Sequence, residues 1–337
     1  MITIETIAKK AGVSRGTVDR VLHNRGRVKE KTAERVWAVM EELNFQPNAL
    51  GRAFYLSREK NKIGVLIAFR EPDFERQVVQ GVKDGVAYAQ QHGIEVLTEI
   101  AAPDDHAAYL SARERLLSGG VRGLALRGIE SERLDGRLRE LAAERFPVVT
   151  YNEDVENGLR DCFVGQDSYK SGACAAFLMR QITPPEGRVL VIGVDPRHCS
   201  SAERIQGFAG NFREGGLLSP VLYGHGSHQL VYRLTREKLA EHPQPAGIYV
   251  SGAGLSGAAH AVDDAGLTGR IKVVGFDTTE SNVAFMKKGT VQFLIDQDPY
   301  LQGYKSIQLL ADAIFQDQPV ALAHYETGIQ IKTPCNC

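Results

Sequence analysis

TIETIAKKAGVSRGTVDRVL, Thr3–Leu22, carries two short helical patterns around a glycine, and its reading decides the first part of the fold. Thr3 is a cap residue, and Ile4, Ile7, Ala8 and Ala11 recur at the spacing that keeps one stripe on one helix face. Gly12 supplies the turn residue with Val13 inside it. Ser14 then opens a second helix that buries Val18, Val21 and Leu22. Two short helices joined by a tight glycine turn make a helix-turn-helix. After the polar turn Asn24-Arg25-Gly26-Arg27, a third helix is expected from about Lys29 to Leu43, burying Ala33, Val36, Met40 and Leu43.

The second helix leaves Arg15, Gly16, Thr17, Asp19, Arg20 and His23 off its apolar stripe. An arginine fork matches guanine O6 and N7 in a major groove, while Ser14, Thr17 and a helix N-terminus suit phosphate oxygens. A plain solvated face fits the same residues. Charge placement weighs toward nucleic acid: residues 1–62 carry 13 Lys and Arg against 7 Asp and Glu, and the rest carries 27 against 34. A basic head on an acidic body is the asymmetry of a DNA-binding segment.

Working outward, 337 residues exceed what one core usually serves, and 43% hydrophobic with 24% charged is ordinary globular composition. No apolar run approaches the roughly 18 residues of a membrane helix. The polar N-terminus lacks a signal-peptide core, so a cytoplasmic protein without membrane contact is expected. Five scattered cysteines do not describe a disulfide framework, and Cys335-Asn336-Cys337 offers two metal ligands where a site needs more. No metal and no cofactor are expected.

From Ile63 the chain alternates short apolar strands with amphipathic helices. Strand candidates are Ile63–Ala68, Val96–Ile100, Gly123–Leu126, Val148–Tyr151, Val189–Val194, Val221–Gly224, Ile248–Ser251, Val273–Phe276 and Phe293–Asp296. Such alternation argues for parallel sheets covered on both faces, divided into two units that place ligands beyond the carboxyl ends of their strands.

The string Thr3–Ala8, Ala11–Ser14 and Thr17–Leu22, followed by Glu41-Glu42-Leu43-Asn44-Phe45-Gln46-Pro47-Asn48-Ala49, closely resembles the head and hinge entry of the lactose-repressor (LacI/GalR) family. The likeness is dense over the first sixty residues and looser beyond. It implies an all-α helix-turn-helix head (1–45), a hinge helix and linker (46–62) and an α/β two-lobed effector domain (63–337) of the type I periplasmic-binding-protein kind. By the same resemblance lobe 1 takes about 63–161 and 297–323 and lobe 2 about 164–295 and 325–337. Crossings between them are expected near Asp161–Val164, Asp296–Pro299 and Ala323–Thr327.

The resemblance puts Arg15, Gly16 and Arg20 at base-reading positions and Ser14, Thr17 and Thr32 at backbone-contacting ones, with His23 and Asn48 also against DNA. Asp19 stands where the family usually has Ser, and His23 where it often has Asn. Gly16 has no side chain to read a base. Phe54 takes the place of the hinge residue that wedges into a minor groove, the alternative being a plain linker whose phenylalanine packs on the body. Gly51 lies mid-segment and disfavours helix by about 1 kcal/mol, consistent with folding on DNA. The implied partners are a homodimer's pseudo-palindromic operator in double-stranded DNA and a small polar effector, a sugar or polyol that could be phosphorylated.

For that effector the resemblance points to Arg204 in Ser201-Ala202-Glu203-Arg204-Ile205-Gln206-Gly207-Phe208, to Asp277 in Val274-Gly275-Phe276-Asp277, and to Gln297. Glu71 and Asn152 stand where ribose binders carry Asn and Asp, Phe74 aligns with a ring-stacking aromatic, and Arg127, just after the strand candidate Gly123–Leu126, is counted among the effector-binding residues. Glu153 replaces an expected Arg, and Gly252 an expected Asn. Glu71 and Glu153 would repel an anion if both faced the cleft. A salt bridge between Arg204 and Asp277 across the lobes, and core packing of Phe74, are the bland readings.

A second class of function rests on Gly252-Ala253-Gly254-Leu255-Ser256-Gly257, a GxGxxG between strand and helix with Asp277 ending the next strand. That pattern suits NAD(P), as cofactor or sensed ligand. It lies deep in the chain rather than at the first strand of a Rossmann unit. No HExxH or GxSxG accompanies it, so an enzyme has little else to rest on.

Overall fold

The computed structural model describes residues 3–22, 28–43, 45, 61–68, 72–129, 132–156, 158–241 and 244–337. His23, Asn48, Gly51, Phe54 and Glu71 lie outside them.

The head is three helices, α1 Ile4–Ala11, α2 Arg15–Leu22 and α3 Glu30–Glu42. Thr3 Oγ1 accepts the Thr6 amide, and Gly12 closes α1 at φ 61°, where a side chain would be strained. Ser14 Oγ accepts the Thr17 amide at 3.1 Å, capping α2. The core joins Ile7, Ala8 and Ala11 to Val18, Val21 and Leu22 and to Ala33, Val36 and Met40, with Trp37 and Val39 added from α3.

The body runs β1 Lys62–Ala68, α4 Pro72–Gln91, β2 Glu95–Ala101, α5 His106–Ser118, β3 Leu124–Arg127, α6 Glu132–Ala143, β4 Val148–Tyr151, β5 Cys162–Gly165, α7 Ser168–Ile182, β6 Val189–Gly193, α8 Cys199–Asn211 and β7 Leu217–Tyr223. It continues through α9 His228–Ala240, β8 Gly247–Val250, α10 Leu255–Asp264, β9 Lys272–Phe276, α11 Glu280–Lys288, β10 Val291–Asp296, α12 Pro299–Gln316, β11 His324–Glu326 and β12 Gln330–Lys332. Two six-stranded sheets result, ordered β11-β5-β4-β3-β1-β2 and β12-β10-β9-β8-β6-β7. Every pairing between named strands is parallel except β10 with β12.

Alternate residues of each central strand serve opposite faces. Ile63, Val65 and Ile67 join the core under α4 and α12, while Leu66 and Ala68 join the one under α5 and α6. Leu190 and Ile192 of β6 likewise face away from Val189 and Val191. Strands buried on both sides must be apolar throughout, which is why they read as continuous runs. Among the described residues no helix is long and apolar enough to cross a membrane.

One crossing differs from expectation: β5 pairs with β4 in the first sheet, so the chain leaves lobe 1 after Gly165 rather than near Asp161–Val164. β11 pairs with β5, so the last crossing follows Glu326 and begins at Thr327, within the expected stretch, though lobe 1 runs three residues past 323. The middle crossing falls between β10 and α12 at 297–298, within the expected stretch. The strands concerned have only three or four residues, too few for a period to show.

Candidate functional site

The carboxyl ends of both sheets face one cleft, where parallel strands gather the loops that can touch a ligand. A cavity of about 140 Å³ lies between the lobes. It has room for several waters or one small polar ligand. Lobe 1 lines it with Phe74 and Glu75 from α4, Arg127 at the end of β3, and Asn152 and Glu153 just past β4. Lobe 2 adds Arg204 from α8, His228, the Gly252–Gly254 loop, Ser256, Phe276 and Asp277, and Gln297 comes from the middle crossing. Phe74, Arg127, Asn152, Arg204, Asp277 and Gln297, six candidates from sequence, therefore meet in one place.

Arg204 is 4% exposed. Its guanidinium donates to Ser251 O at 3.1 Å and to Gln297 Oε1, and it lies 4.0 Å over the Phe276 ring. Gln297 turns its amide to Asp277, Nε2 to Oδ1 at 2.6 Å. Arg204, Gln297 and Asp277 thus form one relay. Arg204 and Asp277 both belong to lobe 2, so the alternative of a salt bridge between them across the lobes does not arise, and Gln297 links them instead. Arg127 Nε and Arg204 Nε have no hydrogen-bond partner among the described residues, which leaves buried donors for a ligand's oxygens.

Backbone strain marks the same strand ends. Asn152, Asp277 and Asp298 stand at φ 63°, 72° and 54°. Asn and Asp tolerate this left-handed region best after glycine, and it turns each chain sharply at the cleft. Asn282 Nδ2 donates to the carbonyls of Phe276 and Asp277 and holds that turn.

Glu153 was visible in sequence; its partners were not. It reaches across the cleft to the N-terminus of α8, where Ser200 Oγ donates to Oε1 at 2.6 Å and the Ser200 amide to Oε2 at 3.5 Å. His198 Nε2 lies 3.5 Å and Arg127 3.9 Å from Oε1. Burial pushes this carboxyl up, but His198, Arg127, Ser200 and Arg204 outweigh burial and hold it below the ordinary range. On the other rim Asp73 Oδ2 accepts the Glu280 amide at 3.0 Å, and Arg76 pairs with Glu280 at 3.2 Å. Each rim is closed by a lobe 1 carboxylate on the positive end of a lobe 2 helix.

A depressed carboxyl contributes stability that is fully present above its unfolded value of 4.5 and is lost as pH falls through its lower folded value. The stability gap between the parent and Glu153→Gln should therefore be level near neutrality and shrink below about pH 4.5. Denaturant unfolding at several pH values checks this; a gap unchanged to pH 2 would mean that the charge plays no part.

The GxGxxG glycines have a packing role. A Cβ on Gly257 would sit 2.3 Å from His228 O of α9, and one on Gly254 2.8 Å from Val231. They let α9 and α10 cross closely, and Gly254 caps α10 at φ 99°. Burial and nearby His260 lower the pKa of His228, whose Nδ1 lies 2.9 Å from Ser256 Oγ.

In the head, Ser14, Arg15, Gly16 and Arg20 are exposed on one helix, and Thr17 and Thr32 are half-buried. Arg20 lies back along α2, Nε to Gly16 O at 3.0 Å and a terminal nitrogen to Thr17 Oγ1 at 3.3 Å.

Residues 3–48 match the family described as bacterial regulatory proteins, lacI family, and residues 63–317 match the periplasmic binding protein domain. The transcriptional repressor PurR of Proteus mirabilis is 26% identical over 330 residues, covering 93% of this chain and 91% of the relative. The fructose operon regulatory protein of Vibrio cholerae is 28% identical over 232 residues, 67% of each. Among solved structures, a glucose-galactose binding protein from Geobacillus stearothermophilus superposes with TM-score 0.73 at 22% identity, over 82% of this chain and 98% of that one. A LacI-type regulator from Bacteroides fragilis superposes with TM-score 0.72 at 19% identity, over 82% and 98%. At these identities the structural likeness shows the fold.

Proposed function

We infer, for a chain that belongs to the lacI family of bacterial regulatory proteins and carries a periplasmic-binding-protein-like sensor, that its effector is an uncharged sugar or polyol. The observation that carries this is the Arg204–Gln297–Asp277 relay in the cavity between the lobes. A polyol hydroxyl donates and accepts at once, so a guanidinium, a carboxylate and an amide side by side satisfy it. The α8 N-terminus beside the cavity, which would attract a phosphate, already holds Glu153. Phosphorylated ligands are therefore disfavoured.

The protein acts in the cytoplasm as a homodimer that represses genes for uptake or catabolism of that effector. The head reads DNA through α2, and closure of the lobes changes how paired heads sit on the operator. Two-fold symmetry predicts a pseudo-palindromic site. Selection from a random DNA library tests this, and enrichment of sites without internal symmetry would sink it. Arg20→Ala should weaken the selected site by roughly 1–3 kcal/mol while leaving non-specific binding largely intact, measured by titration at fixed salt. Equal loss on all sequences would make Arg20 a phosphate contact instead.

A further inference from the structure

We propose that Gln166 is a positioning residue that holds the three interlobe crossings together and sets how far the cleft closes. It stands in the first crossing and is 4% exposed. Its Nε2 donates to Asp296 O, at the entrance to the second crossing, and to Gly328 O in the third, both at 3.2 Å. One amide thus joins all three segments that bend when the lobes move. The next residue after Asp296 is Gln297, the centre of the cavity relay, and Gln302 Nε2 fixes its carbonyl at 2.9 Å. Gln166 does not line the cavity, so it acts on the ligand through Gln297 and the lobe angle.

The closed hinge also carries a cost. Gln166 Oε1 and Thr327 Oγ1 are buried with no hydrogen-bond partner among the described residues, and Thr327 is 0% exposed. Thr327 N donates to Gly165 O at 2.8 Å, which keeps this residue beside the first crossing. A buried polar atom without a partner disfavours the arrangement that buries it, and opening returns both groups to water. Two donated bonds favour closure and two stranded oxygens oppose it. A ligand that binds the closed arrangement better moves the population by its differential affinity.

The test needs neither effector nor operator, so it stands or falls apart from the sugar reading. The Ser200 and Glu280 amides bond across the cleft and report closure through hydrogen exchange, read by mass spectrometry on the full chain. Gln166→Met keeps the shape and loses both donors; exchange at these two amides should rise roughly tenfold or more while β1 and β6 stay protected. Thr327→Val removes a stranded hydroxyl without changing shape, and exchange there should fall by about fivefold. Opposite shifts confined to the cleft support the proposal. Unchanged cleft exchange in Thr327→Val overturns it, as does a rise in Gln166→Met shared equally by both strand cores. Should Gln166→Met not fold, Thr327→Val decides alone.

Discussion

Arg204→Ala is expected to lower effector affinity by about two orders of magnitude and stability by about 3 kcal/mol, while the head still folds. Arg204 is buried, and its charge is balanced by Gln297, Ser251 O and the Phe276 face. Hydrogen bonds to a charged group are worth about 1.5–3 kcal/mol each, and a cation over an aromatic ring adds about 1 more. Removing the guanidinium also frees Gln297 to rotate from Asp277, so one substitution removes three contacts and loosens a fourth. A thermal-shift screen of uncharged sugars and polyols identifies the ligand, and calorimetry on the parent and variant measures the loss. Unchanged affinity in Arg204→Ala would place the binding site elsewhere.

Gly172→Val should be more damaging to the fold, costing about 3 kcal/mol or more. Helices α7 and α8 cross so closely that a Cβ on Gly172 would lie 2.0 Å from Arg204 O, and one on Gly207 2.0 Å from Tyr169 O. Both obstacles are backbone, so no rotamer change relieves them and the helices must separate. Overpacking usually costs about 1–3 kcal/mol, and a main-chain clash belongs at the top of that range or beyond. The displaced segment carries Arg204 itself, so the variant should also lose effector binding. Gly303→Val offers the contrast. Its Cβ would meet Val78 O at 2.3 Å where α4 and α12 cross in lobe 1, away from Arg204. Urea unfolding of both variants measures the effect; a parental midpoint for Gly172→Val would mean that the crossing opens at no cost.

The head and most of the sensor's strands were legible because their signals are local. Caps at Thr3 and Ser14, the turn at Gly12 and apolar spacing within one helix involve residues at most four apart. β5, β11 and β12 escaped because three or four residues display no period, and which sheet such a strand joins depends on neighbours far along the chain. Trp37 was missed for a simpler reason: α3 buries a wider face than a single stripe predicts.

By itself, then, the sequence determined the architecture and named several of the polar residues that line the cleft. Asn152 and Asp277 were named through the family resemblance, and parallel strands do deliver their carboxyl ends to one rim. Only the tertiary structure decided which of these groups face each other and which are already occupied. Glu153 meets Ser200 47 positions away, Glu280 meets Asp73 across 207, and Gln166 bonds Asp296 and Gly328 at separations of 130 and 162. The physical reason is that a polar side chain's role depends on the donors and charges within a few ångströms of it. In a two-lobed chain crossed three times, those neighbours come from segments that no local pattern connects.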